Sequence, residues 1–248
     1  MPKKPSSDLG KKITRAIGRA ISDFSMIRES DKILVGLSGG KDSAVLLCAL
    51  RRLQLRSPVH FSLAAITVDP TDGGADLGAL TLFTEELGIE HRRVRFPIFS
   101  VIKNGVSESA CSLCANMRRG ILATTANEMG CNVLALGHHC DDAVETVWLN
   151  LLYTGRFRCF RPHMTMSRTG VRVIRPLIYA RETEIINEAR RGDLPLVDFG
   201  CPYSADSRRA LIKEKIKEIS KIAPDMAGNT IHALKNCRES DVWFTEEV

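Results

Sequence analysis

The chain has 248 residues, 44% of them hydrophobic and 26% charged, with a formal net charge of +6. That composition supports one sizeable core and excludes both a disordered chain and a membrane protein, since apolar runs such as Phe61 to Val68 are far too short to span a bilayer. No apolar segment follows Met1-Pro2-Lys3-Lys4, so no secretory leader is expected and the cytoplasm is the expected location.

Leu9, Ile13, Ile17, Ile21 and Phe24 recur at helical spacing and predict an amphipathic helix over residues 8–24. Ile33 to Leu37 is a near-continuous apolar run, as expected of a strand buried on both faces of a parallel sheet. Gly39-Gly40 interrupts it, and a helix with Leu46, Leu47, Leu50 and Leu53 inward follows. The alternation repeats: strand 61–69, helix 76–87, strand 90–94, an irregular connection 96–110, helix 113–128, strand 132–137 and helix 141–153. A long basic loop is expected over 154–170, then a strand at 171–174, a helix at 182–190 and a loop at 196–206. A last amphipathic helix over 207–222 should pack on Leu211, Ile212, Ile216, Ile219 and Ile222, with a short tail behind it. Strand and helix in this order predict an α/β fold with a doubly wound parallel sheet, an N-terminal helix and a short C-terminal helical extension. The expected divisions are residues 1–30, 31–200 and 201–248. Ligands in such sheets bind at the carboxyl ends of the strands, near the switch in strand order.

Ser38-Gly39-Gly40-Lys41-Asp42-Ser43 joins a buried strand to a helix. Glycines let backbone amides approach an anion closely, the helix start offers unpaired N–H groups, and Lys41 can neutralise phosphate. Ser38 and Ser43 can add hydroxyl donors, and Asp42 suits the Mg²⁺ that accompanies a nucleotide. A plain strand-to-helix turn would need none of these polar groups. The hexapeptide resembles the Ser-Gly-Gly-x-Asp-Ser signature of the PP-loop family, the N-type ATP pyrophosphatases. The resemblance implies that the loop grips the pyrophosphate end of ATP while a substrate oxygen attacks the α-phosphate, forming an adenylate.

Leu136-Gly137-His138-His139-Cys140-Asp141-Asp142 also follows a strand and opens a helix. Paired carboxylates there suit Mg²⁺ or proton transfer, and equally suit the positive end of a helix dipole. PP-loop tRNA-modifying enzymes carry a similar Gly-His-x-x-Asp-Asp motif, which implies that Asp142 is at the active centre and that Gly137 and His138 line the nucleotide site. Asp69, ending the second strand, falls where such sheets hold adenosine; a strand-end cap is the alternative.

Eight cysteines in a reducing compartment point to metal or thiol chemistry rather than disulfides. Cys111-Ser112-Leu113-Cys114 precedes a predicted helix, and Cys201 lies in Gly200-Cys201-Pro202. Zinc, an iron–sulfur centre and a redox dithiol all remain open on this spacing, although a closed zinc site usually takes four ligands. Three thiolates on an iron–sulfur cluster would leave one iron open to an exogenous sulfur. Together with Arg118-Arg119-Gly120 and the two loops, these cysteines resemble the TtcA/TtuA group of tRNA 2-thiolation enzymes, with the 2-thiocytidine branch nearer. The resemblance spans about Lys32 to Cys201 and, more faintly, extends through Lys217. It implies a [4Fe-4S] cluster on Cys111, Cys114 and Cys201, sulfur transfer to an adenylated pyrimidine of tRNA, and Arg118 near the catalytic centre. A cysteine desulfurase or free sulfide would supply the sulfur, and a homodimer is one assembly left open.

The chain departs from that pattern at Cys140, where a long polar or basic residue is expected and where a spectator role is favoured, and in the short Tyr203-Ser204-Ala205-Asp206 stretch. Cys48 and Cys131 are expected in the core. Arg156, Arg158, Arg161 and Arg168, interleaved with Phe157, Phe160 and His163, suit phosphate contact and base stacking by RNA. Other PP-loop ligases, 2-thiouridine synthases among them, and a nucleotide-binding RNA-binding protein without activity are the competing readings. The intact lysine and Asp pair oppose the last.

Overall fold

The computed structural model describes residues 9–72, 74–104, 110–202 and 208–238, apart from the side chains of Asn104 and Cys111. The chain divides into two compact units, Met1–His139 with Arg161–Ser204, and Cys140–Phe160 with Ala205–Val248.

The first unit is built on a six-stranded sheet: β1 (Asp31–Gly36), β2 (Phe61–Asp69), β3 (Glu90–Arg95), β4 (Val133–Ala135), β5 (His163–Thr165) and β6 (Arg172–Ile174), in the order β3-β2-β1-β4-β6-β5. The pairings among β3, β2, β1, β4 and β6 are parallel, and β5 runs antiparallel on β6. The chain winds outward from β1 to β3 and then restarts on the other side at β4. The switch in strand order therefore falls between β1 and β4, whose register pairs Ile33 with Val133 and Val35 with Ala135. Ile33, Leu34, Val35, Val133, Leu134 and Ala135 are all buried, which fits strands covered on both faces. β3 is an edge strand, and its exposed Arg92, Arg93 and Arg95 discourage pairing with another chain.

Helix α1 (Lys11–Asp23) buries Ile13, Ile17 and Ala20, while Ile21 and Phe24 are only half-buried. Phe24 instead packs at a tilt against Tyr179, with ring centroids 5.8 Å apart. Helix α2 (Lys41–Gln54) is buried continuously from Ser43 to Leu50 and packs against α7 (Glu182–Arg191). Between these lie α3 (Gly78–Glu86), α4 (Ile98–Asn104) and α5 (Ala110–Glu128). An ion pair at the opposite end of the sheet ties β1 to β6. Asp31, 3% exposed, meets Arg172 and accepts hydrogen bonds from the Arg28 amide at 2.7 Å and from Asn132 Nδ2 at 2.9 Å.

The second unit contains α6 (Cys140–Thr154), α8 (Arg208–Ile222) and α9 (Met226–Asn236). Cys140, Val144, Met226 and Ala227 form its core, with Trp148, Ile216 and Ile231 against them. Cys140 is 4% exposed there, and Cys48 and Cys131 are buried in the first unit, as expected.

Four sequence expectations need correction. The connection 96–110 contains α4, and its Ile98 and Ile102 anchor in the core under β2. The expected loop 154–170 contains β5, too short to show an alternating pattern. It is held on β6 by a tight turn in which the Met166 amide reaches Val171 O at 2.9 Å. The tail forms α9. The late helix buries only the Ile212–Ile216 stripe, whereas Leu211 is 50% and Ile222 89% exposed. At 3.6 residues per turn those two lie about a quarter-turn off the stripe that α6 and α9 cover.

Candidate functional site

The loop after β1 is held from inside. The Ser43 hydroxyl donates to Gly40 O at 2.9 Å, accepts from the Ser38 amide at 3.0 Å and contacts Ser38 Oγ at 3.1 Å. Ser43, 3% exposed, is thus a staple of the loop rather than a free phosphate donor, while Ser38 is exposed at its rim. Gly40 is the N-cap of α2 and makes no side-chain cap, so the first-turn amides of the helix are available to an anion.

Gly39 has φ +80°, a left-handed conformation that disfavours any side chain. A Cβ there would lie 2.5 Å from Val197 O and 3.2 Å from the Phe199 ring. The Val197 amide also donates to Gly39 O at 2.9 Å. The segment leading to Cys201 is therefore laid directly on the loop. Gly137, after β4, is required for a second close approach: a Cβ would sit 3.1 Å from both Asp42 C and Ser43 N.

Lys41 Nζ lies 3.2 Å from Asp42 Oδ1 and 3.2 Å from Glu182 Oε1. Burial pulls its pKa down, but Asp42 and Glu182 outweigh that and leave it raised, so the ammonium is secure. His139 is 4% exposed, and its Nε2 is 3.8 Å from Asp42 Oδ1. His138, the sequence candidate, is half-buried beside it in the chain. Neither Glu182 nor His139 was singled out in the sequence. Glu182 looks there like an ordinary acid at a helix start, and only the docking of α7 on α2 brings it to Lys41.

Asp69, 3% exposed at the end of β2, accepts from Thr71 N at 2.9 Å, Thr71 Oγ1 at 2.7 Å and Ala75 N at 2.9 Å. Burial raises its pKa, yet these hydrogen bonds and Arg95 more than reverse that, leaving it below the usual carboxylate range. Both oxygens thus shape the turn after β2, as a strand-end cap does.

Within α5, Cys111 and Cys114 fall in the first two turns, because the helix begins at Ala110, earlier than the sequence suggested. Residues three apart share a helix face, and a helix N-terminus favours thiolates. Cys114 is half-buried against the sheet core, and the Cys111 side chain lies outside the described residues. Cys201 is exposed and follows Gly200, whose φ is +61°. Among the described residues no three His, Cys, Asp or Glu side chains form a metal-binding group; the Cys111 thiol is outside that set. Arg118, further along α5, is half-buried, and its Nε finds no hydrogen-bond partner among the described residues. A buried donor of that kind suits an absent polar ligand. A shallow cavity of about 500 Å³ between β3 and α5, lined by Arg92, Phe96, Met117 and Glu128 among others, contains none of the expected site residues. Chemistry, not cavity size, locates the site.

In the second unit, Asp142 lies in the first turn of α6, and its Oδ1 is 3.3 Å from Arg209 Nη1. The same nitrogen is 3.5 Å from Oε2 of Glu145, which is 5% exposed. Arg209 reads in the sequence as one charge among many on a solvated helix; here it bridges two carboxylates.

A PP-loop domain family model matches residues 9–219. The tRNA-cytidine(32) 2-sulfurtransferase of Geobacter sulfurreducens is 40% identical over 230 residues, covering 91% of this chain and 90% of that protein. The protein of the same name from Neisseria meningitidis serogroup A is 36% identical over 244 residues, covering 97% of this chain and 76% of its own length. Among solved structures, the U34-tRNA thiolase NcsA from Methanococcus maripaludis with its [4Fe-4S] cluster aligns with a TM-score of 0.74 at 27% identity, covering 91% of this chain and 77% of that one. The NH3-dependent NAD synthetase of Campylobacter jejuni, 16% identical with a TM-score of 0.50, shares the fold alone. A loop stapled for an anion at the switch between β1 and β4, inside a match that runs almost the length of the chain, leads to one conclusion: the chain belongs to the PP-loop family, on the branch of these sulfurtransferase relatives.

Proposed function

We propose that this chain is an ATP-dependent tRNA 2-thiolase that forms 2-thiocytidine in the anticodon loop. The carrying observation is the 40% identity to a tRNA-cytidine(32) 2-sulfurtransferase across nine-tenths of both chains. The loop geometry supports the ATP-cleaving half of the reaction. First-turn amides of α2 and Lys41 bind the β- and γ-phosphates, and the cytidine C2 oxygen attacks the α-phosphorus as pyrophosphate leaves. Asp42 receives the Mg²⁺ of the nucleotide, Gly137 and His138 line its site, and Asp69 holds the turn beside it. Asp142 serves as the catalytic carboxylate of the second motif, and Arg118 turns its unpartnered donor to the substrate.

The donor set fits a [4Fe-4S] cluster with one open iron: two cysteines one turn apart at a helix start and a third in an exposed turn. When bound, such a cluster would offer an open iron for a sulfide-level sulfur, the nucleophile needed to displace AMP from the adenylated base. Cys111, Cys114 and Cys201 would hold it, and the contact of Val197 with Gly39 ties the segment before Cys201 to the phosphate loop. Free sulfide or a cysteine desulfurase provides the sulfur, and the reaction takes place in the cytoplasm.

The test is mass spectrometry of tRNA nucleosides from a strain lacking the protein, paired with anaerobic reconstitution. Loss of 2-thiocytidine and a brown protein with broad charge-transfer absorbance are expected. Unchanged 2-thiocytidine would overturn the substrate assignment, and a colourless, zinc-loaded protein would overturn the cluster.

A further inference from the structure

We infer that Glu182 is a positioning residue that competes with the nucleotide's phosphates for Lys41, and so sets how tightly ATP and pyrophosphate are held. The inference rests on the reading of Ser38–Ser43 as the phosphate cradle and adds to it the group that makes that cradle reversible.

The contact is specific. Glu182 Oε1 is 3.2 Å from Lys41 Nζ, with the two side chains only 19% and 26% exposed. An acid in the first turn of a helix is ordinarily explained by the helix dipole. Here another residue caps α7: Glu184 Oε2 accepts from the Arg181 amide at 3.2 Å. Glu182 instead turns toward α2, which α7 packs against. Asp42 alone would already neutralise Lys41, at 3.2 Å. A second carboxylate leaves the lysine between two negative charges in a cradle otherwise built of donors.

That arrangement has a direct physical consequence. A triphosphate entering the loop must draw the ammonium away from Glu182, which weakens ATP binding by the value of the lost pair. When pyrophosphate is to leave, the same carboxylate recaptures the ammonium and favours release. Lysine suits this exchange, since its ammonium is a compact charge on a flexible stem.

ATP affinity, measured by calorimetry, and the inhibition constant for pyrophosphate are compared in the full-length protein and in Glu182→Gln, Glu182→Asp, Glu182→Ala, Lys41→Ala and the Lys41→Ala/Glu182→Gln double variant. Glu182→Gln should bind both ATP and pyrophosphate about fivefold more tightly, the equivalent of one partly exposed ion pair, while kcat falls as product release slows. Glu182→Asp, which keeps the charge, should stay near the parent, whereas Glu182→Ala, which removes it, should match the glutamine variant and serves if that variant folds poorly. In the Lys41→Ala background the glutamine substitution should change nothing. Unchanged affinity in Glu182→Gln, or a change that persists without Lys41, overturns the inference. Weaker ATP binding seen only with Mg²⁺ also overturns it, by assigning the carboxylate to the cation. Lys41→Ala with parental ATP affinity would instead sink the reading of the cradle itself, a result distinct from all of these.

Discussion

Gly39 and Gly137 do different work from the polar residues around them. Neither contributes a functional group, and both exist so that backbone can lie against backbone. At Gly39 two demands coincide: φ is +80°, and a Cβ would meet Val197 O at 2.5 Å. The conformational penalty alone is roughly 1–2 kcal/mol, and the carbonyl contact must also be relieved by moving the loop or the segment on it. Gly39→Ala should therefore weaken ATP binding by tenfold or more while leaving far-UV circular dichroism unchanged, because the sheet beneath does not depend on this contact. Calorimetry with ATP checks it; parental affinity would mean that the loop adapts and that Val197 does not hold it. Ser43 illustrates the reverse lesson. The sequence offered it as a phosphate donor, yet its hydroxyl is already committed to Gly40 O and the Ser38 amide.

The clearest sequence signals come from the most deeply buried elements, although the exposed edge strand β3 is legible as well. β1, β2 and α2 read correctly because their apolar residues are continuous or at clean helical spacing, and the phosphate loop between β1 and α2 was legible for the same reason. β5 is not legible because its three residues are partly exposed and form no apolar run, unlike the equally short β4 and β6, and α9 because its few apolar positions look like a tail. Glu182 and His139 were missed because their partners come from other elements. The Asp31–Arg172 pair was likewise invisible, yet it locks β1 to β6 across the end of the sheet away from the loops. Burial raises the Asp31 pKa, but Arg172, the Arg28 amide and Asn132 reverse this and lower it overall. A carboxyl depressed in the folded state stabilises the fold above its unfolded pKa of about 3.9, and that stability is lost as the pH falls through the lower folded value. Asp31→Asn should cost about 3 kcal/mol at neutral pH, since it strands a buried guanidinium. Its Tm should approach that of the parent as the pH drops below about 4. A gap in Tm independent of pH would show that packing, not charge, ties these strands together.

For the molecule as a whole, charge sets the terms on which it meets RNA. Thirty-five basic residues against 29 acidic ones leave a net +6, a modest excess that matters only where it is exposed and undivided. The stretch after α6 meets that condition: Arg156 and Arg158 are exposed, Phe157 is 44% exposed, and Leu152 and Tyr153 on the last turn of α6 are 62% and 43% exposed. Apolar rings among arginines suit stacked bases and phosphates better than they suit water. His163, by contrast, is half-buried within the first unit, where its Nδ1 lies 2.9 Å from Phe24 O. If each arginine neutralises one phosphate, each releases a counterion, and the logarithm of affinity falls with that of salt by roughly 0.7–0.9 per contact. Reversing both, as Arg156→Glu/Arg158→Glu, should then weaken tRNA binding steeply at low salt and flatten the salt slope by about 1.5, while the ATP affinity of the first unit stays parental. Filter binding across a salt series separates the two effects. A variant that binds more weakly with an unchanged slope would mean that the arginines act through local structure rather than phosphate contact. Parental tRNA affinity throughout would remove this stretch from the RNA interface.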